Sequence, residues 1–263
     1  MNIDGRAIAK EMLARAKARA QILGRRPNVL VYVAPNETLA TRSYLKIKAR
    51  SAEEAGCDFE ETRSMTSSSH ADAVIVQLPL SPDMNTKEVL NAIPVPQDAD
   101  VLSDAARKRF ADGEPDALLP PVVNAVKKIL EFGKVDVRGK KAVVIGRGFL
   151  VGAPVATWLT QQGAIVGVAN SKTEDLAAAL RAADIIISGT GSPHLIKPEM
   201  LKAGVVLIDA GTSESDGAIV GDADLACAEK CAVFTPVPGG IGPIAVACLF
   251  ENVVTLAERA MNT

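Results

Sequence analysis

The chain has 263 residues, 48% of them hydrophobic and 3% aromatic, with 29 basic side chains against 31 acidic ones. So even a balance argues against an electrostatic grip on nucleic acid or an anionic membrane surface, and so few aromatics argue against base-stacking platforms or an interfacial belt. The apolar residues are mostly Ala, Val, Leu and Ile, the filling of buried parallel sheets, in a chain long enough for one large α/β domain or two modest ones.

No apolar run approaches the roughly 20 residues of a bilayer span, and the opening MNIDGRAIAKEM lacks the apolar core of a secretion signal. The expectation is a cytoplasmic protein with no membrane or nucleic-acid partner. Of the 4 cysteines, only Cys227 and Cys231 are close in sequence, at a spacing that suits one helical face. No His cluster accompanies them, so free buried thiols are expected and no metal site.

In chain order, Ile8, Met12, Ala16 and Ala20 mark a helix that stops near Gly24, and VLVYVA (29–34) follows as a strand. Residues 38–56 read as a helix, 57–62 as a strand, 63–72 as a polar flexible loop, and AVIVQL (73–78) as a buried strand stopped by Pro79. Strand, helix, strand implies a parallel sheet with right-handed crossovers. From 81 to 121 the chain is rich in Pro and Asp, with one helix expected over 86–92, and a helix over 122–132 leads to a second domain.

There the alternation is plainer: strand 142–146, helix 151–162, strand 164–169, helix 173–182, then strands over 184–189, 205–211 and 232–237, with a closing helix over 243–261. This is the order of a doubly wound nucleotide-binding fold. Gly146-Arg147-Gly148-Phe149-Leu150-Val151-Gly152 lies where a fingerprint loop belongs. Gly146 permits the tight turn, Gly148 lets the backbone approach phosphate, and Gly152 lets the helix pack on the strand. The spacing GxGxxxG departs from GxGxxG, and on pattern alone a plain tight turn is the other reading. Asn170-Ser171-Lys172-Thr173 at the end of the next strand has no carboxylate to hold a free ribose. Ser171, Lys172 and Arg147 suit a 2′-phosphate instead, which puts NADP ahead of NAD. The competing reading makes Ser171 the cap of the following helix, in a capping box with Glu174.

Five pieces occur in one order: Tyr44-Leu45-Lys46-Ile47-Lys48, Val76-Gln77-Leu78-Pro79-Leu80, Asp98-Ala99-Asp100, Gly146-Arg147-Gly148 with Val151-Gly152, and Pro238-Gly239-Gly240-Ile241-Gly242-Pro243. Together they resemble the bifunctional methylenetetrahydrofolate dehydrogenase/methenyltetrahydrofolate cyclohydrolase family from end to end. The resemblance implies two α/β domains with a cleft between them: a folate-binding catalytic domain of residues 1–121 plus helix 244–263, and a Rossmann-like NADP-binding domain of residues 122–243. It implies NADP-dependent oxidation of 5,10-methylenetetrahydrofolate to the methenyl form, hydrolysis of that to 10-formyltetrahydrofolate, and a homodimer.

Tyr44 and Lys48, four apart on one helix, share a face. The resemblance makes Lys48 the acid/base, Tyr44 the residue that stacks on folate, Gln77 the partner that orients Lys48, and Asp100 the anchor of the pterin. A carboxylate accepts bidentately from a pterin's exocyclic amine and neighbouring ring N–H. Val76, Leu78, Pro238 and Gly239 complete the implied substrate contacts, and Thr212 and Val151 join Gly146, Arg147, Gly148, Gly152 and Ser171 in the implied cofactor set. In isolation Asp98 and Asp100 read as ordinary loop residues, Lys46 and Arg50 as solvated charges, and His70 and His194 as structural or exposed. A different NADP-linked dehydrogenase, or a nucleotide-binding regulator without catalysis, are the competing functions.

The chain departs from the family pattern at named places. Val101 replaces a Gly, Gly148 a Ser, Asn170 a His, and Ile244-Ala245 a Met-Thr, while Pro121-Val122-Val123 stands for Cys-Thr-Pro. A helix of some twenty residues that usually precedes the VQLPL strand is essentially absent, so the N-terminal domain is expected to be trimmed there.

Overall fold

The structure is a computed structural model that describes residues 1–35, 37–64, 70–215 and 218–261. In chain order the elements are α1 (Gly5–Ile22), β1 (Asn28–Val33), α2 (Leu39–Ala55), β2 (Asp58–Thr62), β3 (Ala73–Gln77), α3 (Thr86–Asn91), α4 (Asp104–Ala111) and α5 (Pro121–Phe132). Then come β4 (Lys141–Ile145), α6 (Gly152–Gln161), β5 (Ile165–Ala169), α7 (Leu176–Ala182), β6 (Ile185–Ser188), β7 (Val205–Asp209), β8 (Ser213–Ser215), β9 (Ala218–Val220), β10 (Cys231–Phe234) and α8 (Ile241–Met261). Met1–Ile8 with Val122–Ala245 form one compact unit, and Ala9–Pro121 with Val246–Thr263 the other. The first eight residues, expected with the N-terminal part, therefore lie with the second. The reason is local: residues 1–3 bond to β10, through Ile3 N to Phe234 O at 2.8 Å and Phe234 N to Met1 O at 2.9 Å.

The unit of Ala9–Pro121 holds a three-stranded parallel sheet in the order β2-β1-β3, with Tyr32 beside Val76 and Val33 beside Gln77. β3 is buried along its whole length, as a strand covered on both faces must be. On one face Leu30, Tyr32, Val74 and Val76 pack with Leu90, Ile93 and Leu102, and Leu78, Leu80 and Met84 border them. The β2–β3 link is held at both ends of its described part. The Arg63 guanidinium donates to Val33 O at 3.1 Å and to Ala34 O. Asp72 accepts both arms of Arg25 at 2.6 Å and Asn28 N at 2.8 Å. Residues 65–69, the middle of the expected flexible loop, lie outside the described residues.

The Val122–Ala245 unit holds a five-stranded parallel sheet in the order β10-β7-β6-β4-β5. Its core joins Ile145, Leu180, Ile186, Leu207 and Phe234. The hairpin β8–β9 and helix α4 are additions to the sequence reading. Other corrections are smaller. Helix α7 begins at Leu176 and not at Thr173, because its cap is Asp175, whose carboxylate accepts Ala178 N at 2.8 Å; Ser171 has no part in that cap. Cys227 lies in a 3-10 turn and Cys231 opens β10, so the two share no helical face. Burial pushes both thiols up, Cys227 to about 11 and Cys231 to about 12. Helix α8 is long and apolar enough to cross a membrane by length and composition, although Glu251 and Asn252 break its apolar run in the sequence. Its Phe250, Val253 and Val254 are buried in the protein, as in a core helix.

Candidate active site

In the three-stranded unit the site grows from helix α2 and the carboxyl end of β3. Thr38 caps α2 by accepting Thr41 N at 3.1 Å, and Gly56, at φ 74°, ends it by donating to carbonyls of its last turn. Between these stops Tyr44 and Lys48 lie one turn apart, Tyr44 exposed and Lys48 half-buried. Lys46 and Arg50 are exposed, and Arg50 pairs with Glu54 on its own helix at 2.9 Å.

Lys48 Nζ donates to Gln77 Oε1 at 2.9 Å. Gln77 is 6% exposed, and its amide nitrogen donates to Leu78 O at 2.7 Å, which turns the amide oxygen toward the lysine. Burial lowers the Lys48 pKa, partly opposed by the Asp100 carboxylate. Burial raises the Asp100 pKa, opposed by Lys48 and reinforced by Asp98. Each charge is thus costly alone and eased by the other.

The loop that carries Asp100 is built by Asp98, expected in isolation as an ordinary loop residue, and by Asn252, which carries no signal in the sequence. Asp98, 1% exposed, accepts Leu102 N at 3.0 Å and Ser103 N at 2.8 Å, so it is a structural acid and no ordinary loop residue. Asn252 of α8 donates to Ala99 O at 2.8 Å and to Leu119 O at 3.0 Å. Closing this turn puts Val101 at φ 56°, the left-handed region that a Gly would occupy without strain. Val76 is buried beside Gln77, and Leu78–Pro79 is a cis peptide.

In the five-stranded unit the glycine loop leaves β4. Gly146 has φ 99° and donates to Ala169 O at 2.8 Å. A Cβ on Gly152 would lie 2.2 Å from Gly146 O, so the start of α6 packs on the strand end as only a glycine allows. A Cβ on Gly148 would meet nothing nearer than 4.0 Å, so the missing serine is a change of chemistry and not of space. Arg147, Ser171 and Thr212 are exposed. Beyond β5 the backbone closes on itself, with Asn170 N donating to Thr173 Oγ1 and Lys172 N to Asn170 Oδ1. The glycine cradle, the carboxylate-free strand end and the exposed cation beside them fit a phosphorylated dinucleotide. Pro238 and Gly239 form the turn between β10 and α8, where Val237–Pro238 is cis and Gly239 has φ 100°. His70 and His194 are both exposed.

Residues 120–261 match the family model described as tetrahydrofolate dehydrogenase/cyclohydrolase, NAD(P)-binding domain. The chain is 37% identical over 288 residues to the bifunctional protein FolD of Aromatoleum aromaticum, covering 99% of this chain and 98% of that one. It is similar in structure to the bifunctional FolD methylenetetrahydrofolate dehydrogenase/cyclohydrolase of Campylobacter jejuni, with a TM-score of 0.94 and 31% identity over 99% of each chain. The Trypanosoma brucei methylenetetrahydrofolate dehydrogenase-cyclohydrolase, solved with NADP cofactor and an inhibitor, also gives a TM-score of 0.94, at 30% identity over 100% of this chain and 99% of that one.

Proposed function

The chain belongs to the tetrahydrofolate dehydrogenase/cyclohydrolase family, and on that premise we propose how its residues divide the work. The protein is an enzyme that oxidises 5,10-methylenetetrahydrofolate to the methenyl form with NADP and hydrolyses that product to 10-formyltetrahydrofolate. The observation that carries the assignment of roles is the Lys48–Gln77 bond at 2.9 Å in a site that depresses the lysine pKa.

Asp100 accepts the exocyclic amine and neighbouring ring N–H of the pterin, and Tyr44 stacks on the ring. Val76 and Leu78 form apolar wall, and Pro238 and Gly239 complete the folate contacts. When bound, the dinucleotide supplies the acceptor for the two electrons that leave with the methylene hydrogen. In the hydrolysis, Lys48 takes a proton from the water that adds to the methenyl carbon. It returns that proton to N5 as the carbon–N5 bond breaks and the added hydroxyl becomes the formyl carbonyl, whose proton leaves to solvent, and Gln77 holds the ammonium in register between these transfers. Gly146, Gly148, Val151 and Gly152 seat the pyrophosphate, Thr212 adds a contact to the cofactor, and Arg147 with Ser171 meets the 2′-phosphate.

The proposal extends to assembly and compartment. The β10 edge of the large sheet is covered by residues 1–3, whereas β5 ends the other side with Ile165 61% and Val168 36% exposed. An apolar open edge of this kind supports a homodimer through β5. Buried thiols, with no disulfide among them, support a cytoplasmic location.

The assay that tests the function follows reduced dinucleotide and methenyl hydrolysis with NADP and NAD side by side, in wild type and R147A. A charge-assisted arginine–phosphate contact is worth about 1.5–3 kcal/mol against about 1 for the hydroxyl lost at Gly148, so NADP should be preferred and R147A should erode that preference. A wild type that prefers NAD, or a ratio that R147A leaves alone, would remove the 2′-phosphate role from Arg147.

A further inference from the structure

Two buried carboxylates in the five-stranded unit have no part in the roles above. Asp222, fully buried, accepts Ser188 Oγ at 2.5 Å and Thr190 N at 2.7 Å on one oxygen and Ser192 N at 2.8 Å on the other. Asp209, 1% exposed at the end of β7, accepts Gly211 N and Ala223 N, each at 2.8 Å. The two acids cross. A Cβ on Gly211 would lie 2.1 Å from Asp222 Oδ1, and one on Gly221 would lie 2.2 Å from Asp209 Oδ2. Each carboxylate thus lies against a glycine next to or near the other, and together they tie the strand ends of β6 and β7 to the segment after β9.

What they hold backs the glycine loop directly. Gly189 N donates to Ile145 O at 3.2 Å, and a Cβ on Gly189 would strike Val151 Cγ1 at 2.5 Å. A Cβ on Gly146 would meet Gly189 O at 3.1 Å and Thr190 Cγ2 at 3.4 Å. Further along, Ser213 Oγ donates to Gly191 O at 2.7 Å beside Thr212, which joins the base of the β8–β9 hairpin to the same loop. The loop of residues 189–192 is therefore pressed against the turn that seats phosphate, and two of the bonds that fix it, from Thr190 N and Ser192 N, end on one carboxylate that also holds Ser188 just before the loop.

We propose that Asp222 is a positioning residue for the dinucleotide, holding residues 189–192 against the glycine loop so that the cofactor meets a preformed wall. It touches no reacting atom and acts through Thr190 and Ser192. The proposal rests on the reading that residues 146–152 hold the dinucleotide. Three donors converge on two oxygens, so an amide in the same volume would turn its own donor toward one of them. Cofactor binding would then have to order the loop and would be weaker by that amount.

The enzyme's two activities separate this role from a merely structural one, because the hydrolysis needs no electron acceptor. Kinetics of both activities and calorimetric NADP affinity would be measured for wild type, D222N, S188A and R147A. D222N should raise the KM and Kd for NADP about tenfold, the equivalent of one charge-assisted bond, while saturating NADP restores the dehydrogenase kcat and the hydrolysis is unchanged. S188A, which removes one hydroxyl, should move the same constants less and in the same direction, and it carries the test alone if D222N does not fold. An unchanged NADP KM in D222N, or in S188A where that stands alone, beside a raised one in R147A overturns the proposal and leaves the glycine-loop reading standing. Loss of both activities in proportion in D222N or S188A makes the acid structural and also overturns it. If neither R147A nor D222N changes NADP affinity, the glycine-loop reading itself has failed.

Discussion

The two units both place functional groups at the carboxyl ends of parallel strands, Gln77 at the end of β3 and Gly146 just past β4, but they build with different material. In the three-stranded unit the site is made of side chains. Lys48 and Gln77 are joined by a side-chain bond, and burial works against the charges of Lys48 and Asp100. In the five-stranded unit the site is largely backbone, shaped by Gly146, Gly152 and Gly189 at close approach and braced from behind by buried acids. The contrast extends to positive φ. The backbone-built site puts glycine at 146, 191 and 239, whereas the turn beside Asp100 puts Val101 there. A side-chain site should fail sharply when one group changes, and a backbone site should degrade by degrees.

The sharpest expected failure is K48M, which keeps the volume and removes the proton carrier. Hydrolysis of the methenyl substrate should fall by about two to four orders of magnitude, with the fold intact by circular dichroism. Hydrolysis at the wild-type rate would show that the protons move elsewhere. Next is D100N, whose amide cannot accept from two adjacent donors and presents a donor of its own. Folate affinity should fall about 30-fold, near 2 kcal/mol, with NADP affinity unaffected. Equal folate affinities in the two proteins would place the pterin anchor on another residue.

A pH measurement probes the backbone-built unit. Burial raises the Asp209 carboxyl to about 6, and the nearby Asp222 adds to the shift. In the unfolded chain an aspartate titrates near 3.9. Between about pH 4 and 6 the folded chain therefore holds more protons at this site than the unfolded one. Its stabilising contribution is complete below the unfolded value and is lost as pH rises through the folded one, about 2–3 kcal/mol in all. Other carboxylates, such as Asp72 and Asp184 with lowered values, slope the opposite way, so the comparison is with D209N. Subtracting the D209N melting profile from that of wild type should leave a difference that declines with rising pH over this window. A flat difference would mean that Asp209 is ionised throughout.

The same division of material decides what the sequence could disclose. Lys48, Gln77 and the glycine loop announce themselves through residue type and spacing, and strands such as AVIVQ and VVLID through short apolar runs rich in β-branched residues. The structural roles of Asp98, Asp209, Asp222 and Asn252 do not, because nearly all their partners are backbone groups, which every residue carries. Helix α4 had a signal in its Ser103 cap and the Ala106–Phe110 spacing, but eight residues with three basic side chains show too little apolar periodicity to separate from the Asp-rich stretch around them. The hairpin β8–β9 has three-residue strands, shorter than any alternation can reveal. S-K-T-E at Ser171 fits a capping box, yet Asp175, four residues on, takes the cap and the chain between closes through Asn170 and Thr173.

The smallest effect is expected at Val101, where the two kinds of construction meet. Its φ of 56° costs an L-residue about 1–2 kcal/mol, and a β-branched one more. The turn persists because Asp98 takes Leu102 N and Ser103 N just after it, which fixes the chain on either side. Val101 is also 2% exposed, and burying its side chain contributes about 1.5–3 kcal/mol. V101G therefore relieves the backbone and loses the packing, with about 0.5–1 kcal/mol more lost to the freedom glycine gains in the unfolded chain. The net should be a destabilisation of about 1 kcal/mol, the small difference of these terms. The cleaner measurement compares glycine with alanine at two buried valines. At Val31, inside β1, glycine should be worse than alanine by about 1 kcal/mol. At Val101 it should be equal or better, because alanine keeps most of the backbone cost and glycine keeps none. Denaturant midpoints of V31A, V31G, V101A and V101G decide this. If glycine is worse than alanine by the same margin at both positions, the turn beside Asp100 holds no strain, and the contrast between that turn and the glycine loop at positive φ has no energetic content.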